Sequence, residues 1–385
     1  MLANSWYLRA RARTAVWIAC LVGVSVLTSP DSGLAQSSLD LTIHGVGLSI
    51  GDSRQLTGLR LNFRDRSLER VDGINATLWT PYEPAKGVVN GLALGVPLTG
   101  GHQLNGLIVG LGASADDAIR GIAIAPVGLG AGTLLRGIML AGIGLGTGGR
   151  IQGISIAGIG GGSGQGIDGL MVAGIGWGSG GDVHGVMIAG LGGGGGGRLE
   201  GVSIAGLGTG AGGGVAGVTI AGLGLGTGGD LSGLSIGGLG AGAGGRVTGV
   251  TIGGIGVGAG GDIRGLTIAG VGVGSGGHLR GVTIAGLGAG AAGIDGLVVA
   301  GLGGGAENIS GAVLALGYVK VIDGSLRGAT VSAVNDVRGI QHGLTIGVFN
   351  YARVLRGVQL GVLNLATNNP WPFRILPLVN VHLHQ

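Results

Sequence analysis

Two rows of residues in this sequence have the types and the spacing to do chemistry. Ser155, Met171, Met187, Ser203, Thr219, Ser235, Thr251, Thr267 and Thr283 recur every sixteen residues. Stacked and facing solvent, such a hydroxyl row could meet an ordered lattice such as ice or a glycan. Threonine also suits β-structure and pairs with itself across strands, and because one row is narrow this plainer account is preferred. The second row reads Arg150, Gly166, Asp182, Arg198, Gly214, Asp230, Arg246, Asp262 and His278. Stacked, it puts Arg246 between Asp230 and Asp262 and Arg198 beside Asp182. Exposed ion pairs contribute about 0–1 kcal/mol each, so the row is suited to fixing register rather than to holding a ligand.

The remaining chemical signals are weaker. Gly233-Leu-Ser-Ile-Gly237 matches the nucleophile-elbow pattern, but Ser235 is one member of the hydroxyl row and the next unit has threonine there. Gly208-Thr-Gly-Ala-Gly-Gly213 has dinucleotide-type glycine spacing, yet no helix follows to direct its N-terminus at a phosphate. Calcium-binding coils need a repeated aspartate, whereas Asp182, Asp230 and Asp262 share their row with arginines. His382 and His384 fall on one face of a final strand, a surface metal pair in principle and two exposed terminal histidines by the simpler account. The sequence therefore offers no catalytic, cofactor-binding or metal residue to name, and reads as non-enzymatic.

The elements that carry these rows follow from an internal repeat. A glycine followed by an apolar, any, apolar triplet stands at Gly137, Gly153, Gly169, Gly185, Gly201, Gly217, Gly233, Gly249, Gly265 and Gly281, sixteen residues apart each time. Looser units continue it at Gly45, Gly58, Gly73, Gly91, Gly106 and Gly121, and at Gly296, Gly311, Gly328, Gly343 and Gly357, for about 21 units. The triplets alternate with the period of a strand. Helix is excluded for most of the chain, because glycine costs about 0.8–1 kcal/mol per position against alanine and 98 of 385 residues are glycine.

The expected fold is all-β: a glycine-rich β-solenoid of about 21 coils, with an outer-membrane-type β-barrel as the alternative. Apolar residues at Leu279, then Val282 and Ile284, then Leu287 suggest that the inward parity flips at two corners per unit, which a long barrel strand would not do. On that reading Val282 and Ile284 are buried and Thr283 faces out. Stacking of like coils about 4.8 Å apart supplies the stability that one coil lacks. The outer units hold the charges, prolines and aromatics, including Phe63, Arg64, Trp79, Tyr82, Tyr318 and Trp371, as end coils must when one face has no neighbour. Specific partners are expected to dock at these ends.

Residues 1–35 read as a signal peptide: Arg9, Arg11 and Arg13 precede an apolar stretch from Ala15 to Thr28, Ser29-Pro30 breaks it, and Gly33-Leu-Ala35 offers a cleavage site before Gln36. The apolar run is shorter than the roughly 20 residues of a spanning helix. Loss of three arginines and Asp31 lowers the formal charge from +4 to +2, which is no argument for nucleic acid. The single cysteine, Cys20, lies in the leader, so the exported chain has no disulfide; a lipoprotein reading of Cys20 suffers from the short apolar stretch before it. Beyond the leader the domain reading is irregular N-terminal repeats and cap over 36–120, regular repeats over 121–295, and irregular C-terminal repeats and cap over 296–385.

At the C-terminal end, Gly343-Leu-Thr-Ile-Gly-Val-Phe-Asn350, Gly357-Val-Gln-Leu-Gly-Val-Leu-Asn364 and Leu376-Pro-Leu-Val-Asn380 resemble the repeats and closing segment of the bacterial surface-repeat-containing proteins first described from leptospiral sequences. The resemblance covers roughly residues 300–385 and continues as degenerate units through the centre, where glycine, as at Gly288, takes the place of the asparagine. It implies an exported location in the cell envelope, outer membrane or cell surface. It implies no cofactor and leaves the partner unknown, an envelope component or another surface protein being the expectation, with membrane association open.

Overall fold

The computed structural model describes residues 38–81 and 86–382; the expectations for the leader with Cys20, the start at Gln36, Tyr82 and His384 lie outside these residues. Among them there is no helix, and the strands wind into a β-solenoid of about 19 turns with a spacing near sixteen residues. The chain forms two compact units, one ending at Gly197 and one beginning at Arg198.

In the first unit the turn anchored at Gly153 shows the pattern. Strand Arg150–Ala157 is followed by a two-residue corner and the short strand Gly160–Ser163. Both pair in parallel with the turns on either side: Gly153 with Gly137 and Gly169, Ile154 with Ile138 and Leu170, Gly161 with Leu145 and Trp177. The second unit repeats this, with Thr267 between Thr251 and Thr283 and Val273 between Val257 and Ala289. Parallel pairing one repeat apart is the geometry of stacked coils, and it overturns the barrel alternative, in which neighbouring strands alternate in direction.

The inward parity differs from the expectation. Leu279, Thr283, Ala285 and Ala289 are buried, whereas Val282, Ile284 and Leu287 are 37%, 40% and 48% exposed. All four inward positions are odd-numbered, so the inward set does not switch to Val282 and Ile284, and the odd-numbered Leu287 turns out at the corner. The same holds in the first unit, where Ile151, Ser155 and Ala157 point in and Ile154, Ile156 and Ile159 point out. In the triplet at Gly281 the interior takes Thr283 and leaves Val282 and Ile284 outside, whereas the short strand turns its larger residue in, as at Val273. Trp177 is inward too, and it fits because the residues stacked on either side of it are Gly161 and Gly193.

The glycines divide into those the stack requires and those it does not. Gly153 has φ of 112°, and a Cβ there would run into the carbonyl oxygen of Gly137; only glycine permits both the conformation and the approach. In contrast, a Cβ at Gly178 or Gly226, on the outward side of the short strand, would meet open space.

Both termini of the described chain close with an antiparallel strand. Ser38–Ile43 folds back on Val46–Gly51 through a turn at His44 and Gly45, both at positive φ, so Gly45 serves the hairpin, and Gly47 instead stacks on Gly58. At the other end Ile375–His382 runs antiparallel to Gly357–Ala366. Each strand covers the backbone edge of a last coil, which answers the need for atypical ends.

Candidate interaction surfaces

Each regular turn presents three outward strips with different chemistry. The residues just before the anchor glycine carry the charge: from Gly121 to Ala306, every Asp, Glu, Lys, Arg and His lies within the three positions preceding an anchor. The residues just after it, with the following corner, carry aliphatic side chains. The short strand's outward positions carry glycine.

The charged strip is a ladder that zigzags between two columns. Arg246 donates to Asp230 through its backbone N–H at 2.8 Å and its guanidinium at 3.1 Å. Asp262 accepts the backbone N–H of His278 at 2.9 Å and the Arg264 guanidinium at 2.8 Å, and these two bonds hold its carboxyl down at about 2. Asp262 also pairs with Arg280 at 3.3 Å, and Asp295 accepts from Arg280 and meets His278 Nδ1 at 2.8 Å. In the first unit Asp168 pairs with both Arg150 and His184. The expected row thus borrows from the column beside it: Arg264 and Arg280 serve Asp262, and Arg198 pairs with Glu200. Bonds from one turn's backbone to the carboxylate of the turn before fix register directly.

The aliphatic strip is the strip that sequence reasoning placed inside. Its corner column in the first unit runs through Leu111, Val127, Ile143, Ile159, Ile175 and Leu191, each 42–50% exposed. In the second it runs from Leu207 through Leu223, Leu239, Ile255, Val271 and Leu287, each 43–52% exposed. Beside it run the columns of Ile154 and Ile156 in the first unit and of Val282 and Ile284 in the second. No charged side chain interrupts either stretch.

The glycine strip ends in the second unit at an aromatic step. Gly303 and Gly305 pair with Tyr318 and Lys320, which pair in turn with Val334 and Asp336. There a cleft of about 510 Å³ is lined by Tyr318, Asp323, Asp336, Arg338, Tyr351 and Arg353, among others. The Tyr318 hydroxyl donates to Asp336 at 2.7 Å; partial burial, then this bond, pushes the phenol up to about 12. Arg338 donates to the same carboxylate at 3.1 Å. At the N-terminal end Phe63 and Trp79 stack with centroids 6.3 Å apart, both exposed.

The hydroxyl row is inside. Ser155, Ser203, Thr219, Ser235, Thr251, Thr267 and Thr283 are at most 3% exposed, so it presents no lattice-matching face, and the Ser235 hydroxyl of the nucleophile-like pattern is enclosed without a hydrogen-bond partner among the described residues. Gly208–Ala211 is a short strand, and His382 bonds Asn369 at 2.6 Å. The asparagines of the C-terminal repeats are inward as well: Asn335, Asn350 and Asn364 are fully buried and linked amide to amide at 2.7 Å. Asn335 pairs with Val319, which pairs with Gly304, which pairs with Ala289. The central counterpart of the asparagine is therefore Ala289, one residue beyond Gly288.

Sequence reasoning did not find the buried hub of the N-terminal coils. Arg60, fully buried, donates to Asp52, Asp65 and Asn75, and Asp65 also accepts from Asn62, Asn75 and Thr77. The signal was present as a run of polar residues at inward parity, Arg60, Asn62 and Asn75, where other coils carry aliphatic or small side chains. Compared with protein-family models, curated proteins and solved structures, the chain matches none.

Proposed function

We propose that this chain is a non-enzymatic, exported repeat protein of the cell envelope or surface that serves as a scaffold or adhesive surface. The observation that carries the reading is the segregation of chemistry around the regular coils: an uncharged aliphatic and glycine surface repeated turn after turn, with the charge between Gly121 and Ala306 confined to one strip. Such a surface is suited to extended docking rather than to the enclosure of a small substrate, since exposed apolar patches beyond a few hundred Å² mark interaction sites. The signal-like leader and the C-terminal asparagine repeats point the same way on location. The cleft lined by Tyr318 and Arg353 adds an aromatic and charged surface to the C-terminal turns.

The test is fractionation of cells producing the chain with its leader intact, with protease shaving of whole cells. The expected result is an envelope-associated or released protein of shortened mass, cut by protease added outside. An unprocessed chain confined to the cytoplasm contradicts the proposal.

A further inference from the structure

We infer that the aliphatic strip is covered by the same strip of a second copy of this chain. The proposal rests on the scaffold reading only for where assembly takes place; the contact itself is argued from the strip.

Its size is the first argument. In the first unit alone, six consecutive turns each expose a corner aliphatic such as Ile143, Ile159 or Ile175, flanked in five of them by one or two more. That amounts to on the order of 1,000 Å² of apolar surface, above the ~800 Å² each partner contributes to a standard interface. Surfaces of this kind are the buried centre of obligate interfaces, which are depleted in charge, and the strip has none.

Its regularity is the second. The side chains stand in parallel columns one turn apart, so ridges of Ile and Leu alternate with grooves at a single spacing. A surface with one repeat distance is complementary to itself: two strips laid face to face can seat the ridges of each in the grooves of the other. A two-fold axis between them gives a closed pair rather than an open chain.

The chemistry at the strip's margins separates this occupant from a lipid surface. Membrane-surface elements carry Lys and Arg on the polar side and Trp or Tyr at the boundary. Here the neighbouring columns are glycine on one side and, on the other, arginines paired with acids, as in Arg150 with Asp168 and Arg246 with Asp230. No excess of positive charge faces the side from which anionic headgroups would approach.

The experiment is sedimentation equilibrium on the purified exported chain, with flotation on phosphatidylcholine–phosphatidylglycerol vesicles alongside. The wild-type chain is expected to sediment at twice its monomer mass at micromolar concentration and to leave vesicles unbound. The variant Ile143→Lys/Ile159→Lys/Ile175→Lys places three charges on half-exposed side chains in adjacent turns and should weaken the pair at least 100-fold with the β-sheet circular dichroism retained. Ile143→Gln/Ile159→Gln/Ile175→Gln should weaken it in the same direction, and is the variant to read if the lysine form does not fold. Gln152→Lys, in the charged strip, should leave it unchanged. A monomeric wild type, a dimer indifferent to both triple variants, or a monomer that floats with vesicles overturns the inference. Envelope location is measured separately, so a dimeric but cytoplasmic chain would sink the proposed location and leave this contact standing.

Discussion

Thr251 lies 1% exposed between Ser235 and Thr267, and its hydroxyl has no hydrogen-bond partner among the described residues. Thr219 and Ser235 are in the same position. Enclosing an unpaired hydroxyl costs about 1–3 kcal/mol, so these residues are held inside by fit: β-branched or small, they suit a strand and a narrow interior. Thr251→Val keeps that shape and removes the polar atom, and is expected to stabilise the chain by about 1 kcal/mol, read as a higher midpoint in thermal unfolding. A lower midpoint would mean that the hydroxyl has a partner. The same column shows why the sequence misled at this scale. Alternation at Val282, Thr283 and Ile284 establishes that one set faces in and the other out, but period two alone does not say which. The rule that apolar residues go inside runs in one direction only, and the steric limit set by the facing strand is not written in the triplet.

At the scale of the element, strands and their stacking were legible because the sixteen-residue spacing maps each residue onto its equivalent one turn away, as Gly153 onto Gly137. The closing hairpins were legible only as irregular ends. Inside the last turns, an asparagine ladder replaces the hydrophobic column: Asn350 donates to Asn364 at 2.7 Å and to the Leu360 carbonyl at 3.0 Å, and accepts from Asn335. A fully satisfied buried ladder ties successive turns together. Asn350→Ala leaves Asn335 and Asn364 short of partners and is expected to lower the local opening free energy of Gly357–Ala366 by about 2 kcal/mol. Hydrogen exchange measures this as a loss of amide protection confined to the last turns, with the turns around Gly265 unaffected. Unchanged protection would assign the ladder no part in closing the fold.

At the scale of the whole molecule, one organising feature accounts for both the fold and the proposed role: the regular turns present aliphatic side chains and bare glycine at fixed positions, and all but the turn anchored at Gly217 present charge at a third. The confinement of charge to the positions before each anchor glycine was visible in the sequence, but its meaning required the direction of each column. With Val282 and Ile284 assigned inward, the coil had no apolar exterior to explain. With them outward, the exterior becomes the surface most suited to assembly, while Leu279, Val273 and Ala285 carry the core. The solenoid was thus correctly expected from the repeat, although the parity argument against a barrel does not hold, and parallel pairing replaces it.

The direction of the columns is the claim on which the rest depends, and thiol accessibility tests it most directly. Thr251→Cys and Ile284→Cys, each with Cys20→Ser, are treated with a maleimide in native buffer at a concentration low enough to keep the chain monomeric. The expected result is labelling of the cysteine at 284 within minutes and of the cysteine at 251 only after unfolding. Rapid labelling at 251 with protection at 284 would contradict the account and return the aliphatic columns to the interior.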